Sequence, residues 1–148
     1  MDTTERNAAV LVRLREMLVR QRRKFASYLD VLESEEEAIR EGDAERLVAC
    51  VALEKCVIAD IYTLKKVIDP LEDLYQAAWP DREPAVTELK ATLERMSAKV
   101  IEKNAANRAL LRQKMDEMRQ EIASLRRWPR PQSAFAAAAA PSLVDIMT

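Results

Sequence analysis

The first third of the chain carries apolar residues at a regular spacing of seven. The repeated positions are Leu11, Leu18, Phe25, Leu32 and Ile39. The companion positions are Leu14, Gln21, Tyr28 and Glu35. This spacing is typical of a helix that packs lengthwise against another helix, and it predicts a first helix over 3–41. Because the apolar strip is too narrow to form a core by itself, the helix needs a partner.

A glycine followed by an aspartate interrupts this pattern. Gly42 is the one glycine in the chain, and glycine favours the left-handed conformation that ends many helices. Asp43 is suited to cap the next helix. A break this short predicts that a second helix, over 44–78, runs antiparallel to the first. Pro70 lies inside it, where we expect either a kink or a new helix start capped by Asp69.

Two prolines mark a second break, and Pro84 suits the first turn of a third helix over 84–127. The first part of its seam is Val86, Leu89, Leu93, Met96 and Val100. We expect a four-residue slip of the pattern near Val100 to Asn104. The later part of the seam is then Asn104, Leu111, Met118 and Leu125, accompanied by Met115 and Ile122.

The three helices together predict an all-α fold, an elongated, coiled-coil-like antiparallel bundle that forms one domain over 1–128. The remaining residues, 129–148, carry little charge and include an alanine run from Ala136 to Ala140. A short uncapped helix is marginal in water, so we expect a flexible, low-complexity tail. Its apolar end, Leu143–Met147, is either a frayed terminus or a segment that docks on a partner.

Composition removes most kinds of catalytic site. The chain has no histidine, which excludes Ser-His-Asp triads, Cys-His pairs and histidine-bound metals. With one glycine it cannot build a phosphate-binding loop. Cys50 and Cys56 are too far apart for a Cys-x-x-Cys pair. The acidic cluster from Glu33 to Glu37 lacks the histidines that a di-iron helical bundle requires, and is better interpreted as a solvated face. We therefore expect no enzymatic activity, no cofactor and no metal.

Charge and hydropathy bear on partners and location. Lys and Arg number 24 against 25 Asp and Glu, so the chain as a whole lacks the positive surplus of nucleic-acid-binding proteins. No uncharged run approaches the roughly 20 apolar residues that span a bilayer. The N-terminus lacks the apolar region of a signal peptide. We expect a cytoplasmic protein that binds no nucleic acid and has no membrane span.

A basic run over 20–24 is a local concentration of charge. It comprises Arg20, Arg22, Arg23 and Lys24. Acidic residues follow a turn later on the same helix, which favours an ion-paired exposed face. A basic docking patch is the other interpretation of this run.

Two asparagines interrupt the apolar seam of the third helix. Asn104 and Asn107 are three residues apart, so they lie on one face of the helix. One interpretation is that a buried asparagine fixes the alignment of packed helices at a cost in stability. The other is that this face docks a partner that supplies the missing hydrogen bonds. The pattern of residues alone favours neither interpretation.

Three segments carry a resemblance to a known family: the Glu-Gly-Asp break within Ile39–Leu47, the following Leu53–Lys55, and Asn104–Leu111. They are similar to parts of the FlgN-type flagellar export chaperones, and the similarity covers roughly Met17 to Leu125. The resemblance implies a small α-helical cytoplasmic chaperone. It would bind the C-terminal helical segments of hook-filament junction proteins and deliver them to the flagellar type III export apparatus.

In the resembled family, the C-terminal helix is the principal substrate-binding element. Carried over by position, the resemblance implies that the partner-binding residues are Asn104, Asn107, Leu110, Leu111, Met118, Ile122 and Leu125. A weak homodimer is compatible with this function. The alternative function is a coiled-coil structural or adaptor protein that self-associates through the same seams.

Overall fold

The computed structural model of the protein describes residues 2–79 and 81–127. They form three α-helices: α1 (Thr3–Glu41), α2 (Ala44–Ala78) and α3 (Pro84–Arg126). No strand occurs within these residues. The predicted all-α fold with three long helices is therefore confirmed. The predicted tail, residues 129–148, lies outside the described residues.

The chain divides into two compact units, Met1–Lys114 and Met115–Thr148. The first unit contains α1, α2 and α3 as far as Lys114, and the helix packing described below belongs to it. Of the second unit, residues 115–127 are described. They are helical as far as Arg126, and every one of them is exposed.

The break between α1 and α2 has the predicted chemistry. Gly42 adopts the left-handed conformation, with φ 70° and ψ 25°. The amide of Gly42 donates to the Ile39 carbonyl at 3.2 Å, and the amide of Asp43 donates to the Ala38 carbonyl at 2.9 Å. These two bonds satisfy carbonyls at the end of α1. The Asp43 carboxylate then accepts from the Arg46 amide at 3.1 Å and caps α2.

Helix α2 continues through Pro70 as one helix, so the alternative of a new helix start at Asp69 is wrong. Pro70 is exposed, and its missing N–H leaves one backbone carbonyl on a side of the helix that water reaches. Ile68 is buried in the core and Leu71 packs against it. The two apolar contacts hold the backbone on either side of the proline against the rest of the bundle.

Hydrogen bonds between helices show their directions. The Gln21 amide nitrogen on α1 donates to the Ile61 carbonyl at 3.1 Å, and the Tyr28 hydroxyl donates to Glu54 Oε1 at 3.0 Å. Moving forward along α1 therefore means moving backward along α2, and the two helices are antiparallel. Within the first unit, α3 follows α1 in the same direction, because Val86 lies near the start of α1 and Asn104 contacts Tyr28.

Two apolar clusters form the core of the first unit. The larger cluster joins the N-terminal half of α1 to the end of α2 and the start of α3, and consists of Leu14, Met17, Leu18, Ile68, Tyr75 and Val86. The smaller one lies farther along α1 and consists of Tyr28, Leu32 and Val100, covered by side chains of α2. All three helices contribute to both clusters. The lengthwise contact that the heptad pattern predicts is thus made with two helices.

The predicted four-residue slip in the α3 seam is wrong within the first unit. The inward positions stay seven residues apart, at Val86, Leu93, Val100 and Asn107. An asparagine takes the fourth position because its polarity is satisfied there: Asn107 is 2% exposed, and its amide nitrogen donates to the Leu32 carbonyl at 2.9 Å. The pattern of apolar residues alone does not identify position 107 as part of the inward face.

Replacement of Gly42 by alanine should lower the free energy of unfolding by about 1 kcal/mol, because a side chain is strained in the left-handed conformation. An added Cβ would meet no atom within 4 Å, so the loss comes from the backbone and not from a clash. Urea denaturation measures it. Gly42→Asn is the matched control and should lose less, since asparagine tolerates this conformation. Equal stability of Gly42→Ala and the wild type would contradict the interpretation.

Candidate functional site

The residues predicted to bind a partner lie in two environments. Asn104 is half-buried and Asn107 is buried, and both are hydrogen-bonded within the chain. Leu110 and Leu111 are half-buried in the first unit. The other three, in the second unit, are exposed: Met118, Ile122 and Leu125. Their role in binding stays a prediction, and the structure distinguishes the accessible members from those already engaged.

An exposed apolar row on α3, which we call the α3 stripe, consists of Met115, Met118, Ile122 and Leu125. Their spacings of three, four and three residues place them on one face of the helix. The four side chains are between 44% and 70% exposed. This alternation of three and four is the spacing with which one helix packs lengthwise against another. Met115 was part of the predicted seam, and its exposure adds it to the candidate site.

A second candidate site is a hydrogen-bonded set of polar side chains from all three helices. We call it the polar layer, and it consists of Tyr28, Glu35, Glu54 and Asn104. The Asn104 amide nitrogen donates to the Tyr28 hydroxyl at 2.9 Å. The Tyr28 hydroxyl in turn donates to Glu54 Oε1 at 3.0 Å. One chain of bonds thus runs from α3 through α1 to α2.

The two carboxyl groups of the polar layer, Glu35 and Glu54, lie close enough to interact, and a hydrogen bond between them requires that one of them is protonated. Burial first, and then the hydrogen bond to Glu54 and the negative charge of Glu54, together raise the pKa of Glu35 to about 7. Arg108 opposes this shift. Glu35 Oε2 is buried, and no donor among the described residues reaches it. Glu35 is therefore accommodated more easily as a neutral acid than as a carboxylate.

Hydrogen bonds of the polar layer and of Asn107 fix the position of α3 along α1. Sliding α3 along α1 by one turn would break the bond from Asn104 to Tyr28 and the bond from Asn107 to the Leu32 carbonyl. The polar groups of Asn104 and Asn107 would then lack hydrogen-bond partners while partly shielded from water, which costs more free energy than the bonds contribute. In the sequence, Gln21 and Glu35 are polar residues at companion positions of the α1 heptad pattern, and both asparagines interrupt the α3 seam. Their spacing does not show that Glu35 and Asn104 lie in one layer with Tyr28 and Glu54, because that depends on how the helices rotate against each other.

The basic run of α1 is paired at one position. Lys24 Nζ lies 2.9 Å from Asp60 on α2. Among residues 2–79 and 81–127, neither Arg20, Arg22 nor Arg23 has a carboxylate in ion-pair contact. Lys24 is therefore ion-paired, but with a carboxylate of α2 and not with the acidic residues that follow on its own helix, and the three arginines have no such pairing.

The described residues contain neither a cluster of metal-binding side chains nor a helix that could cross a membrane. Nowhere in them do three or more Cys, Asp or Glu side chains come together to hold a metal ion. Cys50 is buried and Cys56 is exposed, and both are free thiols. Among the same residues, no helix has an apolar stretch long enough to cross a bilayer.

Comparison with known proteins yields a relative of similar length. The chain is 38% identical over 126 residues to an uncharacterized protein of Treponema pallidum (strain Nichols), and the matched region covers 84% of this chain and 80% of that protein. Each of the three helices is longer than the unmatched remainder, so the match includes part of every helix. No protein-family model matches the chain, and no solved structure matches it.

The stability of the fold should carry a signature of the Glu35 proton. Because the pKa of Glu35 is raised on folding, the folded state binds this proton more tightly, and the resulting stabilisation is lost as pH rises through about 7. Glu35→Gln resembles the neutral acid and should lose on the order of 1 kcal/mol less stability between pH 5 and 8, allowing for partial exposure. Urea denaturation across this range measures the difference. Glu33→Gln, at an exposed position of α1, should follow the wild-type profile; identical profiles for all three proteins would refute the shared proton.

Replacement of Asn107 by alanine should cost about 1 to 3 kcal/mol of stability, because it removes the hydrogen bond that the buried amide donates to the Leu32 carbonyl and leaves unfilled space where that amide lay. Chemical denaturation at neutral pH measures the loss. Gln120→Ala is the matched control, an amide on the same helix at an exposed position, and should change stability by less than about 0.5 kcal/mol. Similar small effects for the two variants would show that Asn107 does not fix the alignment of α3.

Proposed function

The chain belongs to the same protein family as the Treponema pallidum protein, and we propose that it is a cytoplasmic chaperone of flagellar type III export. In this proposal it binds the C-terminal helical segments of hook-filament junction proteins and presents them to the export apparatus. The resemblance to the FlgN-type chaperones supports the cellular process. The α3 stripe supports the mode of binding.

The α3 stripe is the observation that carries the proposal. Large apolar side chains at alternating spacings of three and four normally face another helix. All four side chains of the stripe are exposed, so they are accessible to a partner. An amphipathic helix of a partner would pack lengthwise on this face, with Met118 and Ile122 at the centre of the contact. The methionines add adaptability, since their unbranched side chains fit different apolar surfaces.

Binding of this kind suits a protein that holds another protein for later delivery. A partner helix that buries its apolar side on the stripe is kept from other apolar surfaces until it is released. Affinity in such contacts depends on a few central side chains, while the surrounding contacts exclude water. A short stripe with four anchors therefore supports reversible binding, as a carrier requires.

Substitution of the central anchors tests the proposal. Met118→Ala and Ile122→Ala should each weaken binding of a junction protein's C-terminal segment by about 1 to 3 kcal/mol, the range of interface anchors. Their melting temperatures should stay close to the wild-type value, because both side chains are exposed. Isothermal titration calorimetry measures the affinity, and circular dichroism the melting.

Two controls separate binding from folding. Val48→Ala removes an apolar side chain of α2 that is 70% exposed, and it should leave binding unchanged. Leu32→Ala removes a fully buried one and should cost about 2 to 5 kcal/mol of stability. Large losses of stability in Met118→Ala and Ile122→Ala would place these side chains in a core instead. A stable oligomer at low micromolar concentration that these substitutions dissociate, with no binding of the segment, would favour the self-associating adaptor.

A further inference from the structure

A groove of about 450 Å³ lies between α1 and α2, and none of the residues that line it belongs to the α3 stripe or to the polar layer. The α1 side contributes the cations Arg20, Arg23 and Lys24. Asp60, Thr63 and Leu64 line the α2 side. The lining thus combines three cationic side chains with one apolar side chain, Leu64.

The groove holds more positive charge than the protein neutralises. Its carboxylate, Asp60, is already 2.9 Å from Lys24 Nζ. In the part of the chain that the structure describes, Arg20 and Arg23 contact no carboxylate. The chain as a whole carries a formal net charge of −1. The surplus at Arg20 and Arg23 is therefore a local feature and does not follow from a generally basic surface.

A second depression of about 380 Å³ continues this surface along α1. Arg20 and Arg23 line it too, so the two guanidinium groups stand between the two depressions. Val12 and Val19 supply its apolar side chains, and Val12 is more than half exposed. Its acidic residue, Glu16, contacts Arg13 at 3.4 Å, so here as well the nearby carboxylate is engaged elsewhere.

We propose that the surface centred on Arg20 and Arg23 binds an acidic amphipathic segment of a partner protein. Carboxylates of that segment would pair with the two guanidinium groups, whose planar donors match a carboxylate with two parallel hydrogen bonds. Its apolar side chains would cover Val12 and Val19 on one side and reach Leu64 on the other. A nucleic acid is the poorer fit, because the apolar side chains beside the arginines match nothing on a phosphate backbone.

This surface lies on α1 and α2, and its assignment does not depend on the chaperone proposal. Complementary charge mainly speeds the encounter and selects the partner, and the apolar contacts then add to its lifetime. The partner chemistry that fits is therefore a helix or extended segment with regularly spaced glutamate or aspartate residues between apolar ones.

The test uses the full-length protein and a fluorescent synthetic peptide of about five helical turns, with leucine at heptad a and d positions and glutamate beside them. A second peptide carries glutamine in place of each glutamate. Fluorescence anisotropy measures binding at low and at physiological ionic strength. The acidic peptide should bind saturably, at least about tenfold more tightly than the glutamine peptide, and more weakly as salt rises.

The double variant Arg20→Gln/Arg23→Gln should weaken binding of the acidic peptide by about tenfold or more. Arg22→Gln is the matched control, since Arg22 is an exposed arginine on the same helix that lines neither depression. It should bind like the wild type. Circular dichroism checks that all variants keep their helicity.

Three results would overturn this assignment. Equal weakening by Arg22→Gln would show attraction to positive charge in general. Tighter binding of a single-stranded RNA oligonucleotide at the same arginines would make the partner a nucleic acid. Loss of the acidic peptide on Met118→Ala, with no effect of the arginine substitutions, would place its site on the α3 stripe.

Discussion

Helix α1 aligns the other two helices, and hydrogen bonds from its inward side hold that alignment. Apolar packing is non-directional and does not by itself fix how far along α1 the helix α3 lies. The bonds of Tyr28 with Asn104 and Glu54 remove this freedom, as does the bond from Asn107 to the Leu32 carbonyl. A displaced register would leave these groups unpaired, so polar residues give specificity where apolar packing gives most of the stability.

Much of the fold could be predicted from the sequence because heptad spacing and helix breaks are local signals. The Gly42–Asp43 break and the start of α3 at Pro84 have the predicted chemistry. The apolar pattern predicts the α3 seam wrongly where Asn107 occupies an inward position, because the hydrogen bond that makes asparagine suitable there is donated to a carbonyl on another helix. The effect of Pro70 on α2 also depends on residues of other helices. Core contacts of Ile68 and Leu71 keep α2 continuous through the proline.

The candidate sites were predictable to different degrees. The spacing of Met118, Ile122 and Leu125 predicts that they share one face of α3. Whether that face is exposed depends on what packs against it, which the spacing does not show. Glu35 and Asn104 are visible in the sequence as separate polar positions, and they form a site because helix packing places them in one layer with Tyr28 and Glu54. The unpaired state of Arg20 and Arg23 also depends on the neighbouring helix, whose Asp60 is taken by Lys24. Exposure, convergence of polar side chains and ion pairing each depend on how helices pack, and the sequence of a single helix does not show them.

The central claim is that the α3 stripe receives a helix of another protein. Hydrogen exchange of residues 115–126, measured in the dilute free protein and again with a junction protein's C-terminal segment, tests it most directly, because covered helical amides open less often. The account predicts weak protection in the free protein and a marked increase on binding, centred on Met118 and Ile122. Strong protection already present in the dilute free protein, or an increase confined to α1 and α2, would contradict it.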